Sequence, residues 1–417
     1  MIHFGIACPP ITGHVNPLAA LGRTLIGRGH RVTLVHVQDM ESRALAEGLE
    51  FAALGCRDHP PGTLAQSVRK LSELTGLSSL KFAVQGAVRI SGLILEDGPD
   101  VMRRENIDAV LVDQNEPAAG SVAEHLGLPF LSVCTSLPLN REPRIPPPFV
   151  PWGYSSSALA ILRNRIGYAV SDRMITPIND ILNRYRRRWN LGPIRKPDDS
   201  FSALGQIAQM PREFDFPRRE LPDAFHYLGP WFDMRSSVFP FPFERLDGRP
   251  LVYGSIGTLQ SGNSHYFRIM AEACAGLDAQ LVLALGQGTA AELAGLPGNP
   301  VVVNFAPQLE LLSRAQVTIT HAGMNTTQQS LSFGVPAVAI PLTHDQPAIA
   351  ARLARTGAGI VVPPKTLSAE KLRQAIQSLL PQDSPYRAQA RGLQQAIRSS
   401  GGVDRAADIA EKIASHS

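Results

Sequence analysis

A strand, a short loop, a helix and a second strand open the chain, and this order limits the fold more than any other feature. The first strand is Ile2–Cys8, the loop is PPITGHVN, and the strand RVTLVHV follows the helix directly. Asn16 is the expected helix N-cap, with Pro17 at the first helical position, where its missing N–H costs nothing. This order predicts parallel strands joined by a right-handed crossover.

The same order returns in the second half of the chain. From Arg249 to Leu277, a strand again leads into a glycine-containing loop and then a helix. The apolar runs DAVLVDQ, PFLSVCT, QVTITHAG and GVPAVAIP are typical of strands covered on both faces. We therefore predict an α/β protein of two doubly wound, Rossmann-like domains that face one another across a cleft.

A segment rich in Pro and Phe separates the two halves. Gly229–Pro250 has little helical or strand periodicity and is typical of an interdomain linker. We expect a first domain at residues 1–228, a linker at 229–248, a second domain at 249–395 and a further helical segment at 396–417. A chain of 417 residues is also too long for one ordinary core.

The composition excludes several classes of protein. Hydrophobic residues make up 44% and charged residues 18%, which is typical of a packed domain and not of a disordered chain. No apolar run approaches the ~18 residues that span a bilayer. The opening residues lack the basic and apolar regions of a signal peptide, so we expect a cytoplasmic protein. A net charge of only +4 gives no argument for nucleic-acid binding.

One cluster of positive charge stands out in the sequence NRYRRRWN. It contains Arg184, Arg186, Arg187, Arg188 and Trp189. A solvated helix face is the ordinary interpretation of such a run. The alternative is a basic and aromatic contact with an anionic membrane, which would make the protein peripheral to the inner face of that membrane.

Two loops in the second half have the composition of an anion site. VTITHAGMNTT places His321 just past a strand, with Gly323, Asn325 and Thr326 leading into a helix, and GSIGT at residues 254–258 has the same setting. Glycine lets backbone approach a ligand, and a helix start offers free N–H donors, so two such loops fit a diphosphate. Each loop alone is also consistent with ordinary helix capping. The sequence near them has no Asp-x-Asp pair, so we expect no metal site and metal-independent chemistry.

Four motifs follow one another through this half of the chain: FAPQLELL (Phe305–Leu312), HAGMNT (His321–Thr326), GVP (Gly334–Pro336) and DQ (Asp345–Gln346). In this order and spacing they resemble the donor-binding signature of UDP-glycosyltransferases with the GT-B fold. HPPGTL, VDQNEPAAG, LPLNREP and GTLQ are similar to segments of bacterial zeaxanthin glucosyltransferases in particular. The resemblance implies an inverting enzyme that moves glucose from UDP-glucose to a hydroxyl of an apolar acceptor, such as the carotenoid zeaxanthin, and forms a β-glucoside.

The resemblance also implies the donor-binding residues of the second domain. Phe305 would lie against the uracil, and Ala306 and Gln308 beside the uracil or ribose. The phosphates would be bound by Ser255, Thr258, His321, Gly323, Asn325 and Thr326, and the sugar hydroxyls by Asp345 and Gln346. Gln329 stands where many members of the family have a Glu that binds the ribose, which leaves the choice of nucleotide open. On the residues alone, Phe305 is also consistent with an ordinary core position, and Asp345 with a helix N-cap.

A base is needed in the first domain, because the attacking alcohol must lose a proton and a neutral imidazole can take it near pH 7. His14 lies in the first strand-to-helix loop, and Asp113 ends the strand AVLVD. The resemblance implies that the two pair, with His14 as general base and Asp113 fixing its tautomer. The other hypotheses are the same chemistry on a polyketide or flavonoid, and a noncatalytic nucleotide-sugar-binding protein.

The acceptor site is the hardest to locate in the sequence. The Pro-rich segment at 137–154 is either a stiff surface loop or an apolar rim that guides a hydrophobic acceptor. Phe82, Phe149, Trp152 and Tyr154 are the candidate acceptor-binding residues of an N-terminal acceptor-binding domain. The resemblance also implies that the last helix, within 396–417, returns to that domain from the C-terminal nucleotide-sugar-binding domain.

Overall fold

The structure is a computed structural model that describes residues 1–56, 59–73, 76–232, 239–257, 264–286, 293 and 295–415. The strands within these residues are β1 (His3–Ala7), β2 (Arg31–Val37), β3 (Glu50–Leu54), β4 (Ala109–Asp113), β5 (Phe130–Cys134), β6 (Gln206–Ala208), β7 (Phe225–Tyr227), β8 (Leu251–Ser255), β9 (Gln280–Ala284), β10 (Val301–Val303), β11 (Ala315–Thr320), β12 (Ala337–Ala339) and β13 (Gly359–Val361).

The helices of the same residues are α1 (Thr12–Gly27), α2 (Glu41–Ala46), α3 (Thr63–Glu73), α4 (Gly76–Arg104), α5 (Pro117–Leu126), α6 (Ala158–Arg188), α7 (Ser264–Cys274), α8 (Gln308–Leu312), α9 (Met324–Ser332), α10 (Gln346–Thr356), α11 (Ala369–Leu379), α12 (Pro385–Ser399) and α13 (Gly402–Ala414).

Two parallel sheets form the framework, as the sequence predicted. In the described part of the chain, the first sheet has the order β3-β2-β1-β4-β5-β6-β7, and the second has the order β10-β9-β8-β11-β12-β13. The strand order reverses between β1 and β4 in one sheet and between β8 and β11 in the other. Ligands of open α/β sheets bind at such reversal points, beyond the carboxyl ends of the strands. Each sheet therefore offers one predictable binding crevice.

Helices cover both faces of each sheet and bury its apolar residues. One face of the first sheet packs against α1 and α13, and the other against α4, α5 and α6. In the second sheet, α7 and α11 cover one face. The other face carries α9, α10 and α12, in an apolar cluster that also includes Met210 and Phe214 of the first domain. The two domains thus share buried apolar surface, and α13 closes the core of the first domain.

The start of α1 differs from the prediction. The helix begins at Thr12 after an N-cap at Ile11, so Pro17 lies inside the helix and His14 lies in its first turn, not in the preceding loop. Proline has no N–H, so the carbonyl of Gly13, four residues earlier, loses its usual intrahelical donor. That carbonyl accepts a hydrogen bond from Asn325 Nδ2 of the second domain instead, at 3.3 Å.

The segment between the domains is packed where the structure describes it, at 229–232 and 239–248. Trp231 is buried in the core of the first domain. Phe241 and Phe243 meet edge to face and pack against the second. Aromatic side chains therefore anchor this segment to both domains.

Candidate active site

The structure brings His14 and Asp113 together at the reversal point of the first sheet. His14 Nδ1 lies 2.9 Å from Asp113 Oδ2. The other carboxylate oxygen accepts hydrogen bonds from the backbone and side-chain nitrogens of Asn115, at 2.8 and 3.1 Å. Asp113 is fully buried, so these donors hold its carboxylate in one orientation.

Thr135, one residue beyond β5, adds a hydroxyl to this pair. Its Oγ1 lies 2.6 Å from Asp113 Oδ2 and 2.7 Å from His14 Nδ1. An ionised carboxylate can only accept, so the hydroxyl donates to Asp113, and the Nδ1–H of His14 is shared between the two oxygens. This arrangement places the proton of the neutral imidazole on Nδ1 and leaves Nε2 as the basic nitrogen.

The opposite charges of His14 and Asp113 shift the pKa values of both groups, and the directions of the two shifts favour His14 as a base. Burial on its own would lower the pKa of His14, but the charge and hydrogen bond of Asp113 outweigh it, so the pKa lies above its ordinary value. Burial would raise the pKa of Asp113, but His14 and Thr135 outweigh it, so that pKa is lowered. The result is an ionised carboxylate beside an imidazole with a strengthened affinity for a proton.

A second carboxyl group, that of Glu116, lies close to the His14–Asp113 pair and differs from Asp113 in its protonation state. Its side chain is buried and accepts a hydrogen bond from Ser91 Oγ at 3.0 Å. Burial raises the pKa of Glu116 to about 8, and the negative charge of Asp113 acts in the same direction. Glu116 is therefore neutral near pH 7 and does not compete with Asp113 for a protonated His14.

Glu116→Gln tests this protonation state. The folded protein binds the Glu116 proton more tightly than the unfolded chain, so this residue lowers the stability of the fold as the pH rises from about 4.5 to 8. Gln cannot ionise, so we expect the variant to be more stable than wild type by about 5 kcal/mol at alkaline pH, and equal to it near the lower end of this range. Urea unfolding as a function of pH measures the difference, and the exposed Glu244→Gln is the control, with no such divergence.

The two loops predicted to bind the donor, which we call the donor loops, follow β8 and β11 and meet at the reversal point of the second sheet. His321 lies between Gly257 of one loop and Gly323 of the other. A Cβ on Gly257 would lie 2.7 Å from His321 Cε1, and one on Gly323 would lie 2.5 Å from His321 Nε2. Ala322 between them has a φ of 64°, a conformation that alanine adopts only under constraint. The backbone here is thus shaped around the imidazole.

His321 has the opposite electrostatic setting to His14. Burial lowers the pKa of His321 to about 4, although Asp345 and the Ser255 backbone act against this. Its Nδ1 is buried and has no hydrogen-bond partner among the described residues. The helix α9 begins three residues later, after an N-cap at Gly323 that offers no side-chain oxygen to the first N–H groups. A neutral imidazole and a free helix start can both donate to an anion.

Two of the residues expected around the nucleoside, Gln308 and Gln329, are joined by a hydrogen bond. Tyr253 donates to Gln308 Oε1 at 2.9 Å, and the Gln308 amide donates to Gln329 and, at 3.5 Å, to Thr326. Phe305 is 41% exposed, so it is not a core residue, and its ring stacks on Phe239 with 5.1 Å between centroids. Ala306, between Phe305 and Gln308 in sequence, is half-buried, and Ser255 is buried at the end of β8. Thr258 lies outside the described residues.

The side chains of Asp345 and Gln346 make hydrogen bonds that are not helix-capping bonds. Asp345 occupies the N-cap position of α10 but makes no capping hydrogen bond, and its carboxylate instead accepts from Ser136 of the first domain. The side-chain oxygen of Gln346, Oε1, accepts from the backbone N–H groups of Leu342 and Thr343, at 2.8 and 2.9 Å. Those two bonds leave the Gln346 amide nitrogen for another acceptor.

Hydrogen bonds across the cleft join the two groups of residues. The Gln209 amide donates to the Thr135 carbonyl and, at 3.0 Å, to Asn325 Oδ1. Asn325 in turn donates to Gly13, next to His14. Thr135 and Ser136, two adjacent residues after β5, thus contact the His14–Asp113 pair and Asp345 at the start of α10, respectively.

The four aromatic residues predicted at the acceptor site are dispersed. Trp152 packs against α6 under the Arg163 guanidinium, which lies 4.7 Å from its ring, and Tyr154 lies 6.0 Å from the Phe216 ring. Phe82 is half-buried on α4, and Phe149 is 43% exposed. Among the described residues, no ring contact joins any two of these four.

The basic cluster at the end of α6 is not wholly available for a membrane contact. Arg186 is buried, and its guanidinium is paired with Glu124 at 2.8 Å and bonded to Ser121 at 3.0 Å. Trp189 stacks on His125, with ring centroids 4.4 Å apart. The side chains of Arg184, Arg187 and Arg188 are exposed. The prediction of a membrane contact is therefore wrong for Arg186, whose side chain is buried, while Trp189 is half-buried against His125 of α5.

Four residues of this site are not predicted from the sequence: Thr135, Ser136, Gln209 and Glu116. A polar residue directly after a buried strand was the available signal for Thr135 and Ser136.

Among the described residues, no group of three or more His, Cys, Asp or Glu side chains is placed to hold a metal ion. In the same residues, no helix is long and apolar enough to cross a bilayer.

The chain is similar over its whole length to known glycosyltransferases. The family model described as the erythromycin biosynthesis protein CIII-like C-terminal domain matches residues 268–411. Zeaxanthin glucosyltransferase of Pantoea ananas is 35% identical, over 99% of this chain and 96% of its own length. The enzyme of the same name from Pseudescherichia vulneris is 33% identical, over 99% and 98%.

Solved structures show the same fold at lower identity. The glycosyltransferase of kitacinnamycin aligns with a TM-score of 0.77 and 22% identity, covering 99% of this chain and 98% of its own. VinC, solved in complex with dTDP, aligns over both whole chains with a TM-score of 0.73 and 20% identity. From its fold and its full-length relatives, the chain belongs to the UDP-glycosyltransferase superfamily and has the GT-B fold.

Proposed function

We propose that this glycosyltransferase transfers glucose from UDP-glucose to a hydroxyl of an apolar acceptor, with inversion at the anomeric carbon. The observation that carries the proposal is the His14–Asp113 pair, which faces the donor loops across bonds between Asn325 and Gly13. A carotenoid diol such as zeaxanthin is the preferred acceptor class, because two full-length relatives carry that name.

The proposed reaction gives each of these groups one role. His14 Nε2 takes the proton of the acceptor hydroxyl as its oxygen attacks the anomeric carbon, and Asp113 stabilises the imidazolium that forms. The bond between that carbon and the phosphate oxygen breaks, and the nucleotide leaves as a diphosphate. The start of α9 and His321 stabilise its charge. A single displacement turns an α-linked donor into a β-glucoside.

No metal ion is needed in this scheme, since backbone N–H groups at a helix start can stabilise the departing diphosphate. The experiment that tests the proposal is mass spectrometry of the products from zeaxanthin and UDP-glucose, in EDTA and in added magnesium. We expect the glucoside under both conditions. Parallel reactions with flavonoid and polyketide alcohols test for other acceptors. Reactions with dTDP-glucose in place of UDP-glucose test for another donor nucleotide. Donor binding without nucleotide release on any acceptor would favour a noncatalytic binding protein.

Thr135→Val tests the positioning of His14. Valine has nearly the shape of threonine but cannot hold the Nδ1–H, so we expect kcat to fall about tenfold, the effect of one good hydrogen bond, with little change in KM for the donor. Thr135→Ser keeps the hydroxyl and is the matched control, with kcat close to wild type. Equal losses in both variants would assign Thr135 to packing alone.

Gly257→Ala tests the close packing of the backbone against His321. The residue has a φ of 78°, and the new methyl group would overlap the imidazole, so we expect the affinity for UDP to fall about tenfold or more. Isothermal titration calorimetry measures the change without any acceptor. Gly392→Ala is the control in the same domain, because a Cβ there meets no atom within 4 Å, and its affinity should match wild type. An unchanged affinity in Gly257→Ala would contradict the phosphate assignment.

A further inference from the structure

The first half of α6 exposes a row of large aliphatic side chains. Leu159 is 80% exposed, Leu162 55%, Ile166 57% and Val170 57%. Their spacing of three, four and four residues puts them on one side of the helix. We call these four residues the α6 stripe. Single exposed aliphatic residues are common on proteins, but an aligned group of this kind marks a contact surface.

Arginines lie beside the α6 stripe and further along the same helix. The helix contains seven arginines and two aspartates. One arginine, Arg186, is buried in its pair with Glu124, and one aspartate, Asp172, is paired with Arg141. The exposed arginines are Arg165 and Arg173 beside the stripe, and Arg184, Arg187 and Arg188 beyond it. The exposed side of α6 is thus apolar at one end and carries a net positive charge, with these five arginines against the exposed Asp180.

We propose that this side of α6 docks on an anionic lipid bilayer. The α6 stripe would enter the boundary between headgroups and acyl chains, while the arginines contact lipid phosphates, which is how amphipathic helices lie on membranes. The Pro-rich loop packs on the same half of the helix, with Pro147 and Trp152 against Gly167, and it adds the exposed Phe149. Lipid fits better than a soluble partner because an anionic bilayer offers both an apolar layer for the aliphatic residues and phosphates for the arginines.

A second copy of the chain is the main competing occupant. A two-fold interface buries the same patch of both subunits, so it would bring Arg165 and Arg173 of one copy close to those of the other. Like charges placed together in this way oppose association, whereas an anionic bilayer neutralises them. The charge distribution therefore favours lipid over self-association.

The docking surface goes beyond the proposed function and does not depend on it. Its test uses the full chain and vesicles alone, without sugar donor or acceptor, so either proposal can fail while the other holds. Flotation with vesicles of phosphatidylglycerol and phosphatidylethanolamine measures the partition coefficient. We expect binding to these vesicles, weak binding to pure phosphatidylcholine, and release at high salt.

Two double variants separate the apolar and ionic parts of the contact. Leu162→Ser with Ile166→Ser should lower the partition coefficient at least about tenfold, since two aliphatic side chains no longer enter the lipid. Arg173→Gln with Arg187→Gln should lower it about fivefold for each charge removed. The control is Leu45→Ser with Leu204→Ser, which changes two aliphatic residues of matching exposure, 59% and 58%, outside α6 and should bind as wild type does.

Three results would overturn the proposal. They are failure of the wild-type protein to float with anionic vesicles, an equal loss of binding in the control variant, and a lipid-free dimer that the Leu162 and Ile166 changes convert to a monomer. Light scattering coupled to size-exclusion chromatography detects the last of these. Thermal unfolding of each variant shows that a loss of binding does not come from a loss of the fold.

Discussion

His14→Ala is expected to lower kcat by about 10²–10⁴, the usual effect of losing a general base. Without the imidazole, the acceptor hydroxyl must give its proton to water while it attacks, so the barrier to transfer rises. The donor loops lie in the other domain and do not involve this side chain. Steady-state rates at saturating donor and acceptor measure the loss, and calorimetry with UDP should give the wild-type affinity.

The pH dependence of Asp113→Asn provides an independent check on the same pair. Asp113 holds the pKa of His14 above its ordinary value, so wild-type activity should fall on the acid side as His14 becomes protonated. Removing the charge lowers that pKa, so the acid limb should move to lower pH while the plateau rate falls. If His14→Ala kept the wild-type rate, or if the limb did not move, another group would be the base.

Asp215→Ala is expected to produce the largest loss of stability, about 3–5 kcal/mol. The Asp215 carboxylate is fully buried between two guanidiniums, at 2.7 Å from Arg218 Nε in the first domain and 2.7 Å from Arg352 Nε on α10 of the second. Tyr227 donates to it as well, at 2.8 Å. Without the carboxylate, two buried cations would face each other with no anion between them.

Asp247→Ala is the matched control for this prediction. Asp247 makes an equally short pair with Arg249, at 2.7 Å, but both side chains are more than 40% exposed, so removing it should change stability by less than about 1 kcal/mol. Burial alone would raise the pKa of Asp215, but Arg218 and Arg352 hold it well below its ordinary value. The stabilisation therefore persists above the ordinary aspartate pKa and is lost only in strong acid. Urea unfolding of both variants at neutral pH measures the contrast, and equal losses would contradict it.

The sequence carries the information for the framework of the site. Continuous apolar runs followed by glycine loops predict parallel strands, and the carboxyl ends of neighbouring parallel strands meet at one edge. Asp113 ends β4, and His14 lies in the first turn of the helix that follows the neighbouring β1, so strand order brings both to one edge of the sheet. Their pairing, at 2.9 Å, is what the family resemblance implies. The same reasoning brings Ser255 and His321 to one edge of the second sheet.

The remaining contacts depend on pairs that local patterns do not reveal. Gln209 lies 74 residues from Thr135, Ser136 lies 209 residues from Asp345, and each pair joins elements whose packing no periodicity describes. Arg186 was assigned to solvent because its partner Glu124 is 62 residues away in the chain. The helix start was misplaced because a proline usually opens a helix, whereas here Pro17 frees a carbonyl for the other domain.

The position of α13 has a consequence for the way this protein is made. Arg28 on the first domain binds Asp408 and Glu411, at 2.8 and 2.9 Å, and Ala406 and Ile409 fill the core beside α1. During synthesis the core of the first domain is therefore incomplete until the ribosome has released residues more than 370 positions after Arg28. Folding of the two domains cannot be strictly sequential, because the earlier one is completed last.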